Sequence, residues 1–202
     1  AFVVNRVGGI GLVLQFVLMW GNMAEDGGSP LGVVWRFLGY FTLLSNMLVT
    51  VLFTRAALRP KDDSERIATF EAMGATAIIF VGVVYHLMLA SRWNPQGAQL
   101  VADILHHTVT PIVFPLFWLL RPHGLLKWRD ALICALWPLG YAIYALIRGA
   151  FDGWYAYYFM DPTRMTVPQL AVSIGGLSAA FLIGALAFVG LDKALARRSA
   201  TA

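Results

Sequence analysis

The sequence predicts an all-α, polytopic membrane protein, a bundle of six transmembrane helices with both termini in the cytoplasm. Of its 202 residues, 59% are hydrophobic and 13% are charged, which is about half the charged share of an average soluble domain. The mean hydropathy is +0.69, and apolar runs of about 20 residues, long enough to cross a ~30 Å hydrocarbon core, recur along the chain. These observations exclude a soluble globule, a disordered tail and a secreted disulfide scaffold.

Six apolar segments fill the chain, and residues that break helices or carry charge separate them. No soluble domain fits between the segments, so we expect a single domain over residues 1–202. The first segment is followed by five more, which indicates a membrane helix rather than a cleaved signal. The predicted spans are about 2–21, 31–55, 66–91, 97–121, 128–148 and 167–191.

Lysine and arginine predict the orientation, because the cytoplasmic loops of membrane proteins are enriched in both. Four arginines lie near joints that also carry acidic residues, and we expect these joints to face outside. The net charge of +4 comes from short basic loops and does not indicate nucleic-acid binding. The other eleven of the fifteen basic residues mark the cytoplasmic side: Arg6, Arg55, Arg59, Lys61, Arg66, Arg121, Lys127, Arg129, Lys193, Arg197 and Arg198.

Ionisable residues inside the apolar segments are the main functional signal, because a charge in hydrocarbon is costly and needs a partner. The fourth segment carries Asp103, His106 and His107. Asp103 precedes the histidines by three and four residues, so it can share a helix face with either of them. A carboxylate beside an imidazole fixes the tautomer of the ring and prepares a general base. The alternative is that the three residues only bond neighbouring helices.

A polar stripe on the second segment is the counterpart of this cluster. Thr42, Ser45 and Asn46 follow i, i+3, i+4 spacing, and Arg36 lies further towards the outer end. Hydroxyl and amide groups also commonly connect membrane helices, which is the packing alternative for Ser45 and Asn46. At 1.5 Å per residue, Thr42 and His107 both fall roughly 15 Å below the outer surface, so we expect them to face each other.

Three further polar residues lie in the outer half of the predicted bundle. His86 falls roughly 8 Å below the outer end of the third segment, and Tyr144 and Arg148 belong to the outer half of the fifth. Together with the two clusters above, they predict an outward-opening cavity inside the membrane. A lone histidine such as His86 is equally compatible with a packing role.

These residue types suggest nucleophilic catalysis. A hydroxyl nucleophile needs a base within hydrogen-bond reach and a group that orients the base. Thr42, a histidine and Asp103 supply these three roles, and a substrate that reaches such a site through lipid carries acyl chains. The oxyanion would be bound by Arg36, Ser45 or Asn46, among which the sequence does not choose.

Several short strings resemble a bacterial family of six-helix membrane proteins, and the likeness covers nearly the whole chain. The family is distantly similar to the eukaryotic androgen-induced and androgen-dependent TFPI-regulating proteins, which hydrolyse fatty acid esters of hydroxy fatty acids with a membrane-embedded threonine and histidine. The resemblance implies a location in a bacterial inner membrane and a lipid or fatty-acyl ester as substrate. The strings are YFTLLSN at 40–46, VYHL at 84–87, LHHTVTP at 105–111, FWLL at 117–120, WPLGY at 137–141 and RG at 148–149.

By position, the resemblance implies that Thr42 is the nucleophile, and it leaves two histidines as the base. The bacterial pattern has one histidine four residues before the proline, which matches His107 before Pro111. The eukaryotic histidine precedes its proline by five residues, which matches His106. We expect His107 to be the base and keep His106 as its rival.

Two other classes of protein remain alternatives. A haem or quinone carrier would use His86 and His107, although their predicted depths differ by about two helical turns. A zinc hydrolase would use these two with His106 and Asp103. A non-catalytic lipid-binding or transport protein is the alternative that is favoured if no probe labels Thr42. Since Cys134 is the only cysteine, an internal disulfide and a thiolate metal cluster are excluded. We expect no cofactor, no metal, no nucleic acid and no obligate protein partner besides the bilayer and the lipid.

Overall fold

The computed structural model describes the backbone of residues 2–59 and 63–199 and the side chains of residues 8–59 and 63–198. Within these residues the chain is all-helical, as the sequence predicts, and no strand occurs. Five helical stretches are long and apolar enough to cross a membrane: Phe41–Leu58, Glu65–Arg92, Gly97–Leu119, Asp130–Asp152 and Val167–Arg198.

The chain divides into two compact units, with the boundary after Arg121. The first unit contains α1 (Phe2–Glu25), α2 (Pro30–Phe37), α3 (Phe41–Leu58), α4 (Glu65–Val84), α5 (Gly97–Ile104) and α6 (Thr110–Leu119). The second contains α7 (Asp130–Asp152) and α8 (Val167–Ser199), with a short 3₁₀ turn at Tyr158–Met160 between them. The single six-helix domain stays a prediction.

In the first unit α3 packs between α1 and α4, and α4 also packs against α6. The centre of the packing is aromatic, since the ring of Phe53 lies 4.8 Å from that of Phe114 and 4.9 Å from that of Phe117. Phe53 and Phe114 are at most 1% exposed. These rings stabilise the packing of α3 against α6 through close van der Waals contact.

The second predicted span, about 31–55, differs from the structure, because it is interrupted. Helix α2 ends at Phe37 and α3 begins at Phe41. Glycine is a poor helix former, and Gly39 lies in this break, after which Tyr40 has extended backbone with φ −98° and ψ 128°. The interruption moves Thr42 from the middle of a long helix to the second residue of a new one.

Two π-helical segments interrupt the other long helices of the first unit. The first, Tyr85–Leu89, follows α4, and the second, Leu105–Val109, joins α5 to α6. In the second segment the N–H of Thr110 bonds the carbonyl of Leu105, five residues back. Proline has no N–H, so Pro111 cannot donate to the carbonyl of His107. The wider π turn ends where this α-helical bond is missing.

Helix α4 approaches this second π segment closely because residue 82 is glycine. A Cβ at Gly82 would lie 2.9 Å from Cβ of Pro111 and 3.3 Å from the carbonyl oxygen of His107. A side chain at this position would push the two helices apart. The glycine thus allows the two π segments to meet.

Candidate active site at two π-helical segments

The two π-helical segments carry three of the four histidines. His86 lies on Tyr85–Leu89, and His106 and His107 lie on Leu105–Val109. A π turn rotates the following side chains relative to a regular helix, and such turns are frequent at functional sites. The sequence singled out these histidines from their polarity, but it gave no sign of the irregular backbone that presents them.

Asp103, His107 and Tyr85 form one bonded group. Nδ1 of His107 lies 3.2 Å from Oδ1 of Asp103. The hydroxyl of Tyr85 donates to Oδ2 of the same carboxylate over 2.6 Å. The ring of Tyr85 also stacks on the imidazole of His107, with 3.8 Å between centroids and 12° between planes. Asp103 is 7% exposed, so His107 and Tyr85 bond the two oxygens of a buried carboxylate.

The geometry selects the tautomer of His107. Nδ1 lies 3.1 Å from the backbone carbonyl of Asp103 as well as near its carboxylate. Both neighbours are acceptors, so Nδ1 carries the proton and Nε2 keeps its lone pair. The spacing left open which histidine Asp103 would orient, and the structure pairs it with His107.

His86 makes an imidazole–hydroxyl contact beside this group. Its Nε2 lies 3.2 Å from Oγ1 of Thr108, so the contact joins the two π segments. The ring of Tyr85 meets that of His86 edge-on at 5.1 Å. Tyr85 therefore touches the imidazoles of both pairs.

His106 points to a different part of the first unit. It is 2% exposed, and its ring packs against α1, where a Cβ at Gly11 would lie 3.1 Å from Cε1. Adjacent residues on a helix face in different directions, so His106 and His107 serve different neighbours. The ring of His106 is part of the packing against α1, while His107 belongs to the group with Asp103 and Tyr85.

The polar stripe of α3 meets the second π segment through Asn46. Nδ2 of Asn46 donates to the carbonyl of Thr42 at 2.9 Å and reaches that of His106 at 3.5 Å. Asn46 and Ser45 are both fully buried. Thr42 is half-buried, and the described partners of Nδ1 of His107 are the carbonyl and the carboxylate of Asp103. The contact between Thr42 and His107 stays a prediction.

Arg36 lines a cavity of about 420 Å³ in the first unit. The cavity lies where α1 ends, and it combines two methionines with side chains of both charge signs. His86, His106 and His107 do not line it. Its lining residues are Met19, Asn22, Met23, Asp26, Gly28, Arg36 and Tyr40.

Tyr144 and Arg148 lie on α7 in the second unit. The guanidinium is 3% exposed. It donates through Nη1 to the hydroxyl of Tyr144 over 3.4 Å, lies 3.5 Å from a carboxylate oxygen of Asp152, and covers the ring of Trp154 at 5.3 Å. The buried positive charge of Arg148 therefore has its partners within the second unit.

Two residues of the site escaped the sequence reasoning, Tyr85 and Thr108. Each stands next to a histidine that was selected, and each is a hydroxyl-bearing residue inside an apolar segment. Their polarity was the available signal. Only the crossing of two segments about 20 residues apart shows what each hydroxyl contacts.

No family model, no curated protein and no solved structure matches the chain. The resemblance to a bacterial six-helix family therefore stays a prediction. Among the described residues, no group of three or more histidine, cysteine, aspartate or glutamate side chains is arranged to hold a metal ion. The described side chains of the site are imidazoles, hydroxyls and one carboxylate.

Proposed function

We propose that the protein is an intramembrane hydrolase of lipid esters. The observation that carries the proposal is the buried pair of Asp103 and His107, whose atoms lie 3.2 Å apart. An imidazole oriented through Nδ1 by a carboxylate is the general base of hydroxyl nucleophiles. Tyr85 holds the other carboxylate oxygen, which favours a preorganised base over a packing contact.

In the proposed reaction Thr42 is the nucleophile. Nε2 of His107 takes the hydroxyl proton as Oγ1 forms a bond to the ester carbonyl carbon. The carbon–oxygen bond of the ester then breaks, and the leaving alkoxide takes the proton from His107. Water then attacks the acyl-threonine with His107 again as the base, which releases the acid and restores the hydroxyl of Thr42. Asp103 stabilises the imidazolium present between the two proton transfers.

This step needs the hydroxyl of Thr42 within hydrogen-bond reach of Nε2 of His107 when the substrate is bound. Catalytic hydrogen bonds are often long before the substrate binds. Asn46 supports the proposal, because its amide bonds the carbonyl of Thr42 on α3 and that of His106, the residue before the base. The acyl chains would reach the site through the bilayer.

The membrane arrangement is part of the same proposal. Five helices meet the length and hydropathy of a span, and we assign α1 as the sixth. The distribution of lysine and arginine favours cytoplasmic termini in a bacterial inner membrane. A C-terminal reporter fusion tests the arrangement, and activity confined to the outer side of the membrane would overturn it.

The reaction is tested with the full chain in detergent. A fluorophosphonate probe and a fatty-acyl p-nitrophenyl ester report nucleophile labelling and hydrolysis. Thr42→Ala is expected to abolish the labelling of residue 42 and the ester hydrolysis that depends on it. Thr76→Val is the matched control, because the hydroxyl of Thr76 donates to its own helix at Ala72 over 2.8 Å. Full turnover by Thr42→Ala would exclude Thr42 as the nucleophile.

The cavity at Arg36 supports a second candidate function, lipid binding without catalysis. Its arginine and aspartate offer contacts of both signs to a zwitterionic headgroup, and its methionines contact acyl carbons. This reading predicts that a fluorescent phospholipid binds and that Arg36→Gln weakens binding. It also predicts that the purified protein does not hydrolyse esters, whereas the hydrolase proposal predicts that it does.

A further inference from the structure

The hydroxyl of Thr108 behaves differently from other threonines in the helices of the first unit. Those at 50, 69, 76 and 110 donate to a carbonyl of their own helix, at distances of 2.8 to 3.0 Å. In the described part of the chain, Thr108 instead bonds His86 and no backbone carbonyl. Its hydroxyl is thus directed out of its helix towards an imidazole.

The direction of this bond depends on the tautomer of His86. A hydroxyl proton inside an apolar segment needs an acceptor, and Nε2 of His86, 3.2 Å from Oγ1, can accept it when the ring proton is on Nδ1. Donation by Thr108 requires the lone pair of His86 at Nε2 and its proton at Nδ1. A hydroxyl that donates to a neutral imidazole within about 3.2 Å is arranged as a nucleophile with its base.

The pair is also accessible to a ligand. His86 is exposed and Thr108 is half-buried, in contrast to the buried His106. The ring of Tyr85 touches His86 on its edge and stacks on His107. A substrate at one pair therefore lies beside the other.

We propose that Thr108 is a second acyl-accepting hydroxyl, with His86 as its base. The proton of Oγ1 moves to Nε2 of His86, Oγ1 bonds the carbonyl carbon of a lipid ester, and the ester carbon–oxygen bond breaks. The leaving alkoxide takes the proton from His86, and water then hydrolyses the acyl-threonine. This inference rests on the proposed ester chemistry, but it does not depend on Thr42.

The test is site mapping of fluorophosphonate labelling on the full chain in detergent. The probe forms a bond from phosphorus to Oγ1 and releases fluoride, and peptide mass spectrometry locates it. We expect label on Thr108 in the wild type and in Thr42→Ala, and its loss in Thr108→Val. His86→Gln is expected to slow this labelling about a hundredfold, at the lower end of what a general base contributes. Thr76→Val controls for the loss of a threonine hydroxyl.

The outcomes separate this inference from the proposed function. Label on Thr42 alone, unchanged by Thr108→Val, overturns the inference and leaves the hydrolase intact. Label on Thr108 at the same rate in His86→Gln overturns the role of His86 as base. Absence of label at both threonines together with absence of ester hydrolysis overturns both proposals. Circular dichroism of each variant verifies that the helices remain folded.

Discussion

Replacing Tyr85 by phenylalanine removes one hydroxyl from the candidate site and keeps the ring that stacks on His107. The hydroxyl donates to Oδ2 of Asp103 over 2.6 Å, and both residues are 7% exposed. The buried carboxylate of the variant would lose a donor, and no water is expected to replace it within this packed group. The change therefore isolates the role of a single hydrogen bond.

The magnitude follows from the charge and burial of the acceptor. A hydrogen bond to a charged group contributes about 1.5–3 kcal/mol. For a chain of this size 1 kcal/mol shifts Tm by about 2–4 °C, so Tyr85→Phe is expected to lower Tm by roughly 3–12 °C. If all of this energy is lost from the transition state, ester hydrolysis falls roughly 10- to 160-fold.

Thermal unfolding in detergent and hydrolysis of a fatty-acyl p-nitrophenyl ester measure the two effects. Tyr155→Phe is the matched control, because Tyr155 lies outside the candidate site, with its ring packed over Gly149 in the second unit. We expect this control to leave hydrolysis unchanged. If Tyr85→Phe matches the wild type in both assays, the hydroxyl does not hold Asp103, and the preorganised base is refuted.

Three further predictions concern the histidines, the buried ion pair and pH. His107→Ala is expected to be inactive and His106→Ala partly active in ester hydrolysis, and the reverse order would assign the base to His106. Glu71→Gln is expected to destabilise the protein by about 1.5–3 kcal/mol, because it removes the charge from the more buried of the two carboxylates that Arg121 bonds. Thermal unfolding measures the loss against Glu65→Gln, an exposed control, and a Tm as high for Glu71→Gln as for this control would contradict the prediction. Hydrolysis is expected to fall at acidic pH, where a protonated imidazole cannot accept a proton, and a pH–rate profile without an acidic limb would contradict a histidine base.

The ion pair of Glu71 with Arg121 illustrates what the sequence could not reveal. Nε of Arg121 bonds both carboxylate oxygens of Glu71, at 3.1 and 3.0 Å, and Nη2 bonds Asp63 at 2.7 Å. The residues lie 50 and 58 positions apart. Their sequence context indicates a loop arginine and a helix glutamate. Only the packing of α4 against α6 brings the charges together and buries Glu71 to 3% exposure.

The features that the sequence did reveal depend on local spacing. Apolar length predicted the helices, because a span needs about 20 residues whatever its neighbours are. The i, i+4 relation predicted that Asp103 could share a face with His107, and the two lie in contact. The irregular backbone was not predictable in the same way. Pro111 indicated that the helix is irregular at this point, but the sequence did not show whether the irregularity is a kink or a π turn.

The break at Gly39 affects the comparison of Thr42 with Thr108 as the nucleophile. The shared depth of Thr42 and His107 was counted along an uninterrupted second span, whereas α3 begins at Phe41. The contact of Asn46 with the carbonyl of His106 gives a better reference point. The same amide nitrogen also bonds the carbonyl of Thr42, so the first turn of α3 lies beside the second π segment.

Thr108 has a described contact of the kind that a nucleophile makes with its base. It follows His107 directly in the chain, and its hydroxyl lies 3.2 Å from an imidazole. Catalysis through Thr108 therefore uses a contact present in the free protein, whereas the contact of Thr42 with His107 is a prediction. A short alkyl fluorophosphonate does not fill an acyl site, so it labels a hydroxyl whose base is already in place. We expect it to label Thr108 in preference to Thr42, and a long-chain one to label both. Preferential labelling of Thr42 by the short probe would show that Thr42 has its base in place without substrate and would remove the advantage of Thr108.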